Sequence, residues 1–498
     1  MLFTTAAFAF VFLPIALAGF FALGRISHRA ASFWLLAASV FFYGYWMPKF
    51  TVLLLGSIAV NYLVGRQIGA CDRFDAAPRQ RARRWLVAGL IFNLGLLGYF
   101  KYMNFFVDSV QAALGVDLHI ARILLPIGIS FFTFTQIAFL ADAYQKGVRE
   151  YQFGHYGLFV TYFPHLIAGP VLHHAQMMPQ FEHSSTYRPS LSNLSAGFAI
   201  FGLGLLKKVV IADGVSGYAD AVFSTASAGH VPTFMAAWLG ALAYTFQLYF
   251  DFSGYSDMAV GLSWMFNVRL PFNFDSPYKA GNIIDFWRRW HMTLSAFLRD
   301  YLYIPLGGNR HGPVRRYVNL AITMLLGGLW HGASWTFVFW GGLHGAYLGA
   351  NHAFRALAQR LGHAVKASLA YRAACWLCTF LAVVVAWVFF RAPTFGAAGR
   401  MLRGMAQAHG PSPPFGIDSS LWNAGLEPHV GFAICLALAA LALAAPNSNV
   451  AGQRLHTFCA SRMHRGAFVL GFAATLVVLL VVLNESRSSV SAFIYFNF

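Results

Sequence analysis

The side chains that could catalyse a reaction collect in one part of the chain, residues 244–345. The run YFDFSGYSD at 249–257 places two carboxylates, Asp251 and Asp257, and two serines, Ser253 and Ser256, inside an apolar stretch, with Tyr255 between the serines. Carboxylates at membrane depth are costly and usually face a polar cavity or a partner. A second interpretation stays open, because Asp251 and Asp257 could instead cap helix starts at a break in this run.

A second polar element, NIIDFWRRWHMTLSAFLRDY at 282–301, contains His291. Helical spacing predicts that Trp287 and His291 share one face and that Asp285 pairs with Arg289 at i,i+4. Such a segment is too polar to face lipid along its length, so we expect it at the membrane interface or dipping into the protein. On local grounds His291 is either a hydrogen-bonded structural histidine or part of a site.

The third element is GGLWHGASW at 327–335, which continues to GGLHG at 341–345. The apolar stretch 318–350 is too long for one simple span, and six glycines lie between 327 and 345, so we expect a break there. A histidine at such a break, His331 beside Trp330, has little water around it, which favours the neutral ring that can accept a proton. His344 lies 13 positions further on, and we expect it to be structural or close to lipid.

Other chemistries fit the sequence less well. The chain has 18 histidines, but those near the polar elements are scattered, and the adjacent pair His173 and His174 would diverge on a helix. We therefore predict no metal site and no permanently bound cofactor. Cys375 and Cys378 have CxxC spacing but head an apolar run, so we expect them to be buried small hydrophobic residues.

The composition indicates the elements that must position these side chains. Hydrophobic residues make up 58% of the 498 positions and charged residues only 10%, whereas a soluble protein has about 25% charged residues. Several apolar stretches reach the roughly 20 residues that cross a bilayer as a helix. The sequence therefore excludes a water-soluble enzyme, a disordered chain and a fibrous repeat. We predict an all-α polytopic membrane protein with about 11–13 membrane segments, including re-entrant and interfacial helices around a central passage, in one domain over 1–498.

The charge pattern predicts an orientation. Lys and Arg exceed Asp and Glu by 35 − 17 = +18, and the early basic residues fall in every second loop: Arg25, Arg29, Arg66, Arg73, Arg79, Arg81, Arg83, Arg84, Lys146 and Arg149. Such loops are typically cytoplasmic, so we expect the N-terminus to face outward. The excess suits membrane lipids and an anionic substrate rather than nucleic acid. The aromatic tail FIYFNF at 493–498 should dock onto the protein.

These residues resemble a known family. The segments at 247–257, 286–310 (FWRRWHMTLSAFLRDYLYIPLGGNR) and 328–345 (GLWHGASWTFVFWGGLHG) look like the membrane-bound O-acyltransferase family, and most like its bacterial alginate O-acetyltransferase branch. The motif FPHLIAGP at 163–170 and the tail FIYFNF fit the same branch. The resemblance runs over most of the chain, although 405–430 carries no recognisable motif.

The resemblance implies an MBOAT-like fold and acyl transfer across the membrane, with His331 essential and His291 as a second polar site residue. It also implies a cytoplasmic acetyl donor, a separate periplasmic, hydrolase-like acetyltransferase partner, and an exopolysaccharide such as alginate or cellulose as the acceptor. The basic cytoplasmic loops suit an anionic carrier with phosphate groups, so we predict acetyl-CoA as the donor. The location would be the bacterial inner membrane, multi-pass. Acyl transfer needs a base and oxyanion donors. Our hypothesis makes His331 the general base and lets His291 orient the acyl group or stabilise negative charge. Further residues would line or brace the cavity: Asp251, Ser253, Tyr255, Asp257, Arg289, Trp290, Trp330 and Ser334.

Two alternatives stay open. Relatives of this kind also move D-alanine or other acyl groups to cell-wall polymers, with an acyl carrier protein as the donor. A polytopic transporter would likewise have many spans, polar residues within the membrane and glycine-broken helices. A transporter usually has two corresponding halves, however, and the polar elements here lie in one stretch.

Overall fold

The computed structural model describes residues 1–71, 76–117, 120–167, 169–358, 368–407, 419–487 and 493–494. Within these ranges the regular structure is helical throughout, and no β-strand occurs. Most helices are long and apolar, as a bilayer requires of a chain that must satisfy its own backbone hydrogen bonds. The prediction of an all-α, multi-pass membrane protein is confirmed.

Six helical segments in the described residues are long and apolar enough to cross a membrane, or up to seven if one bent helix pair counts as a span. They are Ala7–Gly24, Pro48–Gly69, Ala76–Leu114, Leu191–Ser227, Leu369–Arg391 and Met463–Glu485. The sequence predicted a larger number of membrane-associated segments because it also counted short and broken pieces. The central passage and the single domain stay predictions.

The chain divides into two compact units. Unit 1 comprises Met1–Leu205, Tyr255–Phe272 and Ser448–Ala492, and unit 2 comprises Leu206–Gly254, Asn273–Asn447 and Phe493–Phe498.

Unit 1 is built from helices that pack through aromatic side chains and a few buried amides. Its helices are α1 (Leu13–Gly24), α2 (His28–Gly44), α3 (Pro48–Gly69), α4 (Ala76–Leu97), α5 (Met103–Leu114), α6 (Ile129–Lys146), α7 (Phe153–Thr161), α8 (Phe163–Leu166), α9 (His174–Met177) and α10 (Leu191–Leu206). Asn61 of α3 and Asn93 of α4 exchange side-chain hydrogen bonds of 3.2 and 2.6 Å, so neither buried amide is left unsatisfied.

Unit 2 contains the polar elements at 282–301 and 327–345. The helices that follow α10 are α11 (Asp213–Ser227), α12 (Phe234–Met265), α13 (Ile283–Arg289), α14 (Met292–Leu298), α15 (Gly312–His331), α16 (Trp335–Ala358), α17 (Leu369–Arg391), α18 (Phe395–Ala406), α19 (Ser419–Asn423), α20 (Pro428–Ala444), α21 (Ser448–Ser461) and α22 (Met463–Glu485). Of these, α21 and α22 belong to unit 1, and α12 contributes to both units.

One predicted helix break is absent. Helix α12 runs without interruption through Gly254, so the interpretation of Asp251 and Asp257 as caps of helix starts is wrong. An apolar helix of this length already satisfies its backbone through its own hydrogen bonds, and the two carboxylates find other partners.

The break predicted within 318–350 is confirmed. Helix α15 ends at His331, and α16 begins at Trp335 after a short turn. The two helices pack closely because glycines meet at their crossing: a Cβ on Gly328 would overlap the carbonyl oxygen of Phe337, and one on Gly341 would overlap that of Met324. The glycines therefore allow the backbones of α15 and α16 to approach closely. The break between the two helices places His331 at the end of α15.

The element at 282–301 is not one helix. Asn282 caps α13 by accepting a 3.0 Å hydrogen bond from the Asp285 N–H, but α13 ends at Arg289 and α14 begins at Met292. The prediction that Trp287 and His291 share a helical face is therefore wrong. The reason is the backbone of His291, whose φ of +44° is left-handed and interrupts the helix.

Candidate active site

His291 lies at the kink between α13 and α14 and is fully buried. A left-handed conformation at a non-glycine residue costs of order 1–3 kcal/mol, and such strain is concentrated at functional sites. The ring of Phe252 packs edge-on against the imidazole, with ring centroids 4.7 Å apart. Of the two positions expected for this segment, at the membrane interface or dipping into the protein, the burial of His291 fits the second.

Asn273 fixes the orientation of the His291 ring. Its side-chain oxygen lies 3.1 Å from Nδ1 of His291 and accepts hydrogen bonds from the Thr293 N–H at 3.2 Å and the Thr293 hydroxyl at 3.0 Å. A backbone N–H can only donate, so the shared Asn273 atom must be the oxygen, and Nδ1 of His291 must be the donor. In the neutral ring, Nε2 then carries the lone pair. Among the described residues Nε2 is buried and has no hydrogen-bond partner.

His331 faces His291 from the end of α15. The two ring centroids lie 6.3 Å apart, and Trp330 lies against both rings, 5.9 Å from His291 and 5.0 Å from His331. Trp340 and Phe390 complete the aromatic surroundings of His331 at 5.1 and 5.3 Å. The imidazole is only 3% exposed, so unit 2 brings the two histidines together in an aromatic environment with little access to water.

His344 belongs to the same cluster, so of its two expected positions, structural or close to lipid, the structural one fits and the one near lipid is wrong. It is fully buried, and its Nδ1 accepts a 3.3 Å hydrogen bond from the indole of Trp287. Its ring lies 4.8 Å from that of Trp340 and stacks at 6.2 Å on Phe286. The thirteen-residue spacing misled the prediction because the helix that bears His331 ends there, so the two residues do not share one helix axis.

Asp251 is part of a buried ion triad in unit 2. Lys208 lies 2.7 Å from a carboxylate oxygen of Asp251 and 2.7 Å from one of Asp213. Lys208 and Asp251 are 3% and 2% exposed, so charges that would be costly alone in an apolar interior are paired. The sequence analysis assigned Asp251 to a cavity or a cap and did not identify Lys208, because 43 positions separate the two residues.

The C-terminal segment docks onto this triad. The N–H of Ile494 donates a 3.0 Å hydrogen bond to the second oxygen of Asp251. Phe493 is 1% exposed and packs 5.6 Å from Phe252, the ring that contacts His291. The docking predicted for the tail is confirmed at these two residues, and 495–498 lie outside the described residues.

The other predicted residues of unit 2 surround the cluster without all joining it. Trp290 is fully buried and packs 4.9 Å from Trp387, so it braces the kink. Ser334 lies 3.0 Å from the Thr336 hydroxyl and accepts from the Thr336 N–H at the start of α16. Ser253 is buried, and its hydroxyl has no partner among the described residues. Arg289 forms the predicted pair with Asp285 at 3.0 Å, at the partly exposed surface.

Two predicted site residues belong to unit 1. Tyr255 stacks on Phe3 with ring centroids 5.0 Å apart, and Asp257 accepts a 3.0 Å hydrogen bond from the hydroxyl of Ser448. Both are buried. Their contacts are those of packed structural residues.

The arrangement can move a proton between an imidazole and a small group held beside it. Even if they point straight at each other, the nitrogens of two rings 6.3 Å apart lie roughly 4 Å from one another, beyond the about 3 Å of a hydrogen bond. Both rings can nonetheless contact one bound hydroxyl or carbonyl. Within the described residues, no group of three or more His, Cys, Asp or Glu side chains is placed to hold a metal ion.

Sequence reasoning missed Asn273, Trp340, Trp387 and Lys208. Asn273 had a weak signal, since it lies in the polar loop NVRLPFNFDS before α13. The tryptophans had none, because aromatic residues fill every apolar span of this chain. Their place beside the histidines follows only from the packing of α16 on α17.

The chain matches a known protein family over most of its length. The model of the family described as MBOAT, membrane-bound O-acyltransferase family, matches residues 93–390. That range includes all three polar elements, with His291, His331 and His344, and Asn273. It ends at Phe390, which packs against His331.

Comparisons with individual proteins give relatives that differ in the polymer their names mention. A protein named peptidoglycan O-acetyltransferase from Helicobacter pylori is 39% identical, with 100% of this chain and 98% of the relative covered. A protein named "Probable alginate O-acetylase AlgI" from Azotobacter vinelandii is 44% identical over 81% of this chain and 78% of the relative. A teichoic acid D-alanyltransferase from Streptococcus thermophilus is 28% identical over 46% of this chain and 57% of the relative.

Proposed function

Since this chain belongs to the membrane-bound O-acyltransferase family, we propose that it takes an acetyl group from acetyl-CoA on the cytoplasmic side and passes it outward for O-acetylation of a glycan. The chain is a membrane acyltransferase, and the transporter alternative therefore falls away. The observation that carries the finer proposal is the pair of buried imidazoles, His291 and His331, enclosed by aromatic rings.

In the proposed reaction, the hydroxyl oxygen of the acceptor attacks the thioester carbonyl carbon while His331 takes the hydroxyl proton. The tetrahedral intermediate then expels the thiolate, which recovers a proton from the imidazolium. General-base assistance of this kind contributes about 10²–10⁴-fold in rate. The aromatic surroundings exclude water, which would otherwise compete as the acceptor and hydrolyse the thioester.

The hydrogen bond to Asn273 refines the role of His291. Because Nδ1 donates to Asn273, the neutral ring presents a lone pair at Nε2 and cannot donate a proton to an oxyanion. We therefore assign His291 to orient the acyl group by contact rather than to stabilise negative charge, since the single proton of the incoming hydroxyl goes to His331. The indole of Trp340 is a better candidate donor, since its buried N–H has no partner among the described residues and its ring packs against His331.

The test is the variant His331→Ala in the full-length protein. We expect acetylation to fall below detection while the protein still reaches the membrane and elutes as a single species. His429→Ala is a matched control, because the His429 side chain is 80% exposed, and it should retain full activity. Acetylation near the wild-type level in His331→Ala would refute the assignment.

The donor has its own test. Purified protein in lipid nanodiscs is incubated with labelled acetyl-CoA, and release of free CoA is measured with and without an outward-facing acetyltransferase partner. We expect release that depends on His331. The competing donor is an acyl carrier protein bearing D-alanine, suggested by the teichoic acid D-alanyltransferase relative. Turnover of that carrier but not of acetyl-CoA would replace acetyl-CoA in the proposal.

The acceptor is proposed as a glycan hydroxyl outside the cytoplasm, presented by a hydrolase-like partner in the periplasm. The relatives divide between peptidoglycan and alginate by name, and cellulose is a further exopolysaccharide of the same chemistry. Base-labile acetate on each polymer, measured in cells with and without this protein, decides among them. Acetate unchanged on every polymer would contradict the glycan proposal.

The proposed location is the bacterial inner membrane, with the N-terminus in the periplasm. Four exposed arginines lie at the start of α4: Arg79, Arg81, Arg83 and Arg84. Basic residues of this kind are typically found on the cytoplasmic side of the membrane, so they support this orientation. A variant whose only cysteine is Cys71, between α3 and α4, should resist a membrane-impermeant thiol reagent in spheroplasts and react once the membrane is opened. Labelling in intact spheroplasts would invert the orientation.

A further inference from the structure

A large cavity lies apart from the histidine cluster, between the second half of α16 and the first half of α17. Its volume is about 960 Å³, and its lining is mainly apolar, with Ile283, Phe354, Leu369, Trp376 and Ala382 among the wall residues. Along α17 the lining extends from Leu369 to Ala382, which at 1.5 Å per residue is about 20 Å. The lining is thus about as long as one leaflet of a bilayer, whose whole thickness with the headgroups is about 40–45 Å.

Three cations lie at the lining of this cavity. Arg355 is in the last turn of α16, Arg372 is in the first turn of α17, and Lys279 precedes α13. Arg355 and Arg372 are exposed. No Asp or Glu is among the described residues that line the cavity, and the sequence contains none between 301 and 417. Within the described part of the chain, no acidic side chain at the cavity lining balances Arg355 and Arg372, and the Lys279 ammonium donates a 2.8 Å hydrogen bond to the carbonyl of Ala445.

The same end of unit 2 gathers further basic residues. Helices α15 and α16 run antiparallel, since Arg316 at the start of α15 hydrogen-bonds His352 near the end of α16 at 2.8 Å. The start of α15, the end of α16 and the start of α17 therefore lie at one end. Positive charge at the ends of spanning helices marks the cytoplasmic side, whose leaflet contains the anionic lipids.

We propose that this cavity binds an anionic glycerophospholipid. The phosphate lies among Arg355, Arg372 and Lys279, and an acyl chain follows the apolar walls along α17 toward Ala382. Charge complementarity selects the headgroup, and the length of the cavity suits a chain aligned with the helices rather than a compact soluble molecule. Leu369 and Phe354, at the charged end, are 80% and 45% exposed, so a lipid can enter sideways from the bilayer.

The bound lipid would also support the histidine cluster. Tyr347 lines the cavity, and its ring lies 5.7 Å from that of His344, which shares Trp340 with His331. The lipid therefore fills the space between the two helices that position these aromatic rings. Binding to the folded state alone raises stability in proportion to the logarithm of the lipid concentration.

Photocrosslinking tests the site directly. Full-length protein in phosphatidylcholine nanodiscs receives a trace of phosphatidylglycerol with a diazirine in its acyl chain, or the same probe with a phosphocholine headgroup. We expect the phosphatidylglycerol probe to label the peptides of α16 and α17 that line the cavity in clear excess. Each of Arg355→Gln and Arg372→Gln should lower that labelling about fivefold, the change that corresponds to about 1 kcal/mol per basic residue.

Matched variants separate charge from folding. Arg372→Lys should keep most of the labelling, and the exposed Arg83→Gln on α4 should keep all of it. Equal labelling by the two probes, or full labelling in the double variant of Arg355 and Arg372, would overturn the proposal. Loss of labelling on addition of acetyl-CoA would also overturn it and identify a soluble anionic ligand instead.

Cys375 provides a second readout. Cys375 and Cys378 line the cavity, half-buried and exposed respectively, which corrects the expectation that both are buried. In variants with a single cysteine, phosphatidylglycerol should slow the reaction of Cys375 with N-ethylmaleimide relative to phosphatidylcholine. The half-buried Cys71 in unit 1 should react at the same rate in both lipids. If Cys375 reacts with N-ethylmaleimide as fast in phosphatidylglycerol as in phosphatidylcholine, the lipid does not occupy the cavity.

Discussion

The strongest test of the site concerns Asn273, which does not contact the reacting groups in the proposed mechanism. Its side-chain oxygen accepts three buried hydrogen bonds, from His291 Nδ1, the Thr293 N–H and the Thr293 hydroxyl. In Asn273→Leu all three donors lose their acceptor, while the side chain keeps its branch at Cγ and its number of heavy atoms. At about 1 kcal/mol for each lost bond, we expect the variant to be about 3 kcal/mol less stable than wild type.

The catalytic effect has a separate cause. Without the Asn273 oxygen, the proton of His291 is free to move to Nε2, and the ring is free to rotate. If the variant loses about 1.4 kcal/mol of free energy that favours the wild-type tautomer and orientation of the His291 ring, the rate falls about tenfold. A misplaced reacting group can lower the rate about 10²-fold. We therefore expect the rate of acetyl transfer to fall about 10–100-fold, with the KM for the donor changed little, because the loss acts on kcat.

Two matched variants isolate this effect. Asn273→Asp keeps an acceptor for all three donors and should recover most of the rate. Thr293→Val removes one of the three hydrogen bonds without touching His291, so it should lower the melting temperature and leave kcat within about twofold, because no interaction at the reacting atoms is lost. The assay is release of CoA from acetyl-CoA by folded protein in nanodiscs. Wild-type kcat in Asn273→Leu, or an equal loss in Thr293→Val, would refute the reasoning.

Three further predictions concern stability. Lys208→Met leaves two buried carboxylates without their cation and should lower the free energy of unfolding by about 3–5 kcal/mol. Gly328→Ala forces a Cβ onto the backbone of α16 and should cost about 1–3 kcal/mol, whereas Gly349→Ala, with no atom within 4 Å of the new methyl, should be neutral or slightly stabilising. Although burial acts to raise the pKa of Glu150, hydrogen bonds from His174 and the Gln152 N–H hold it below its ordinary value. Glu150 therefore stabilises the fold at neutral pH, and this contribution is lost as the pH falls through its folded-state pKa.

Thermal melting in detergent checks all three. A melting temperature of Lys208→Met equal to that of wild type would show that the triad contributes nothing. Equal melting temperatures for the alanine variants at Gly328 and Gly349 would show that the helix crossing tolerates a methyl group. For Glu150→Gln, the deficit relative to wild type should be present at pH 7 and shrink as the pH falls through the lowered folded-state pKa of Glu150, and a deficit independent of pH would contradict the ionised contact.

Local sequence rules located the polar elements and several of their details. The glycines between 327 and 345 predicted the break after His331, because only glycine allows the backbones of α15 and α16 to approach so closely. The i,i+4 spacing predicted the pair of Asp285 and Arg289, and the aromatic tail predicted its own docking at Phe493. Each of these depends on residues close together in the chain.

The same rules failed where a distant partner decided the outcome. The spacing of 282–301 predicted a continuous helix, but Asn273 binds the backbone of Met292 and both donors of Thr293 and stabilises a left-handed kink at His291. The carboxylate of Asp251 indicated a cap or a cavity, and its partner Lys208 is found only when α12 packs beside the segment that joins α10 and α11.

The sequence by itself determined that the chain is a membrane protein, which residues carry its polar chemistry, and where the chain must bend, because composition and local geometry set the cost of placing each residue in lipid. Only the tertiary structure decided which polar groups meet. The tautomer of His291, the inclusion of His344 and the basic end of the cavity between α16 and α17 all depend on contacts between helices. Such contacts depend on how side chains from distant segments of the chain pack together, and the local sequence pattern does not predict that packing.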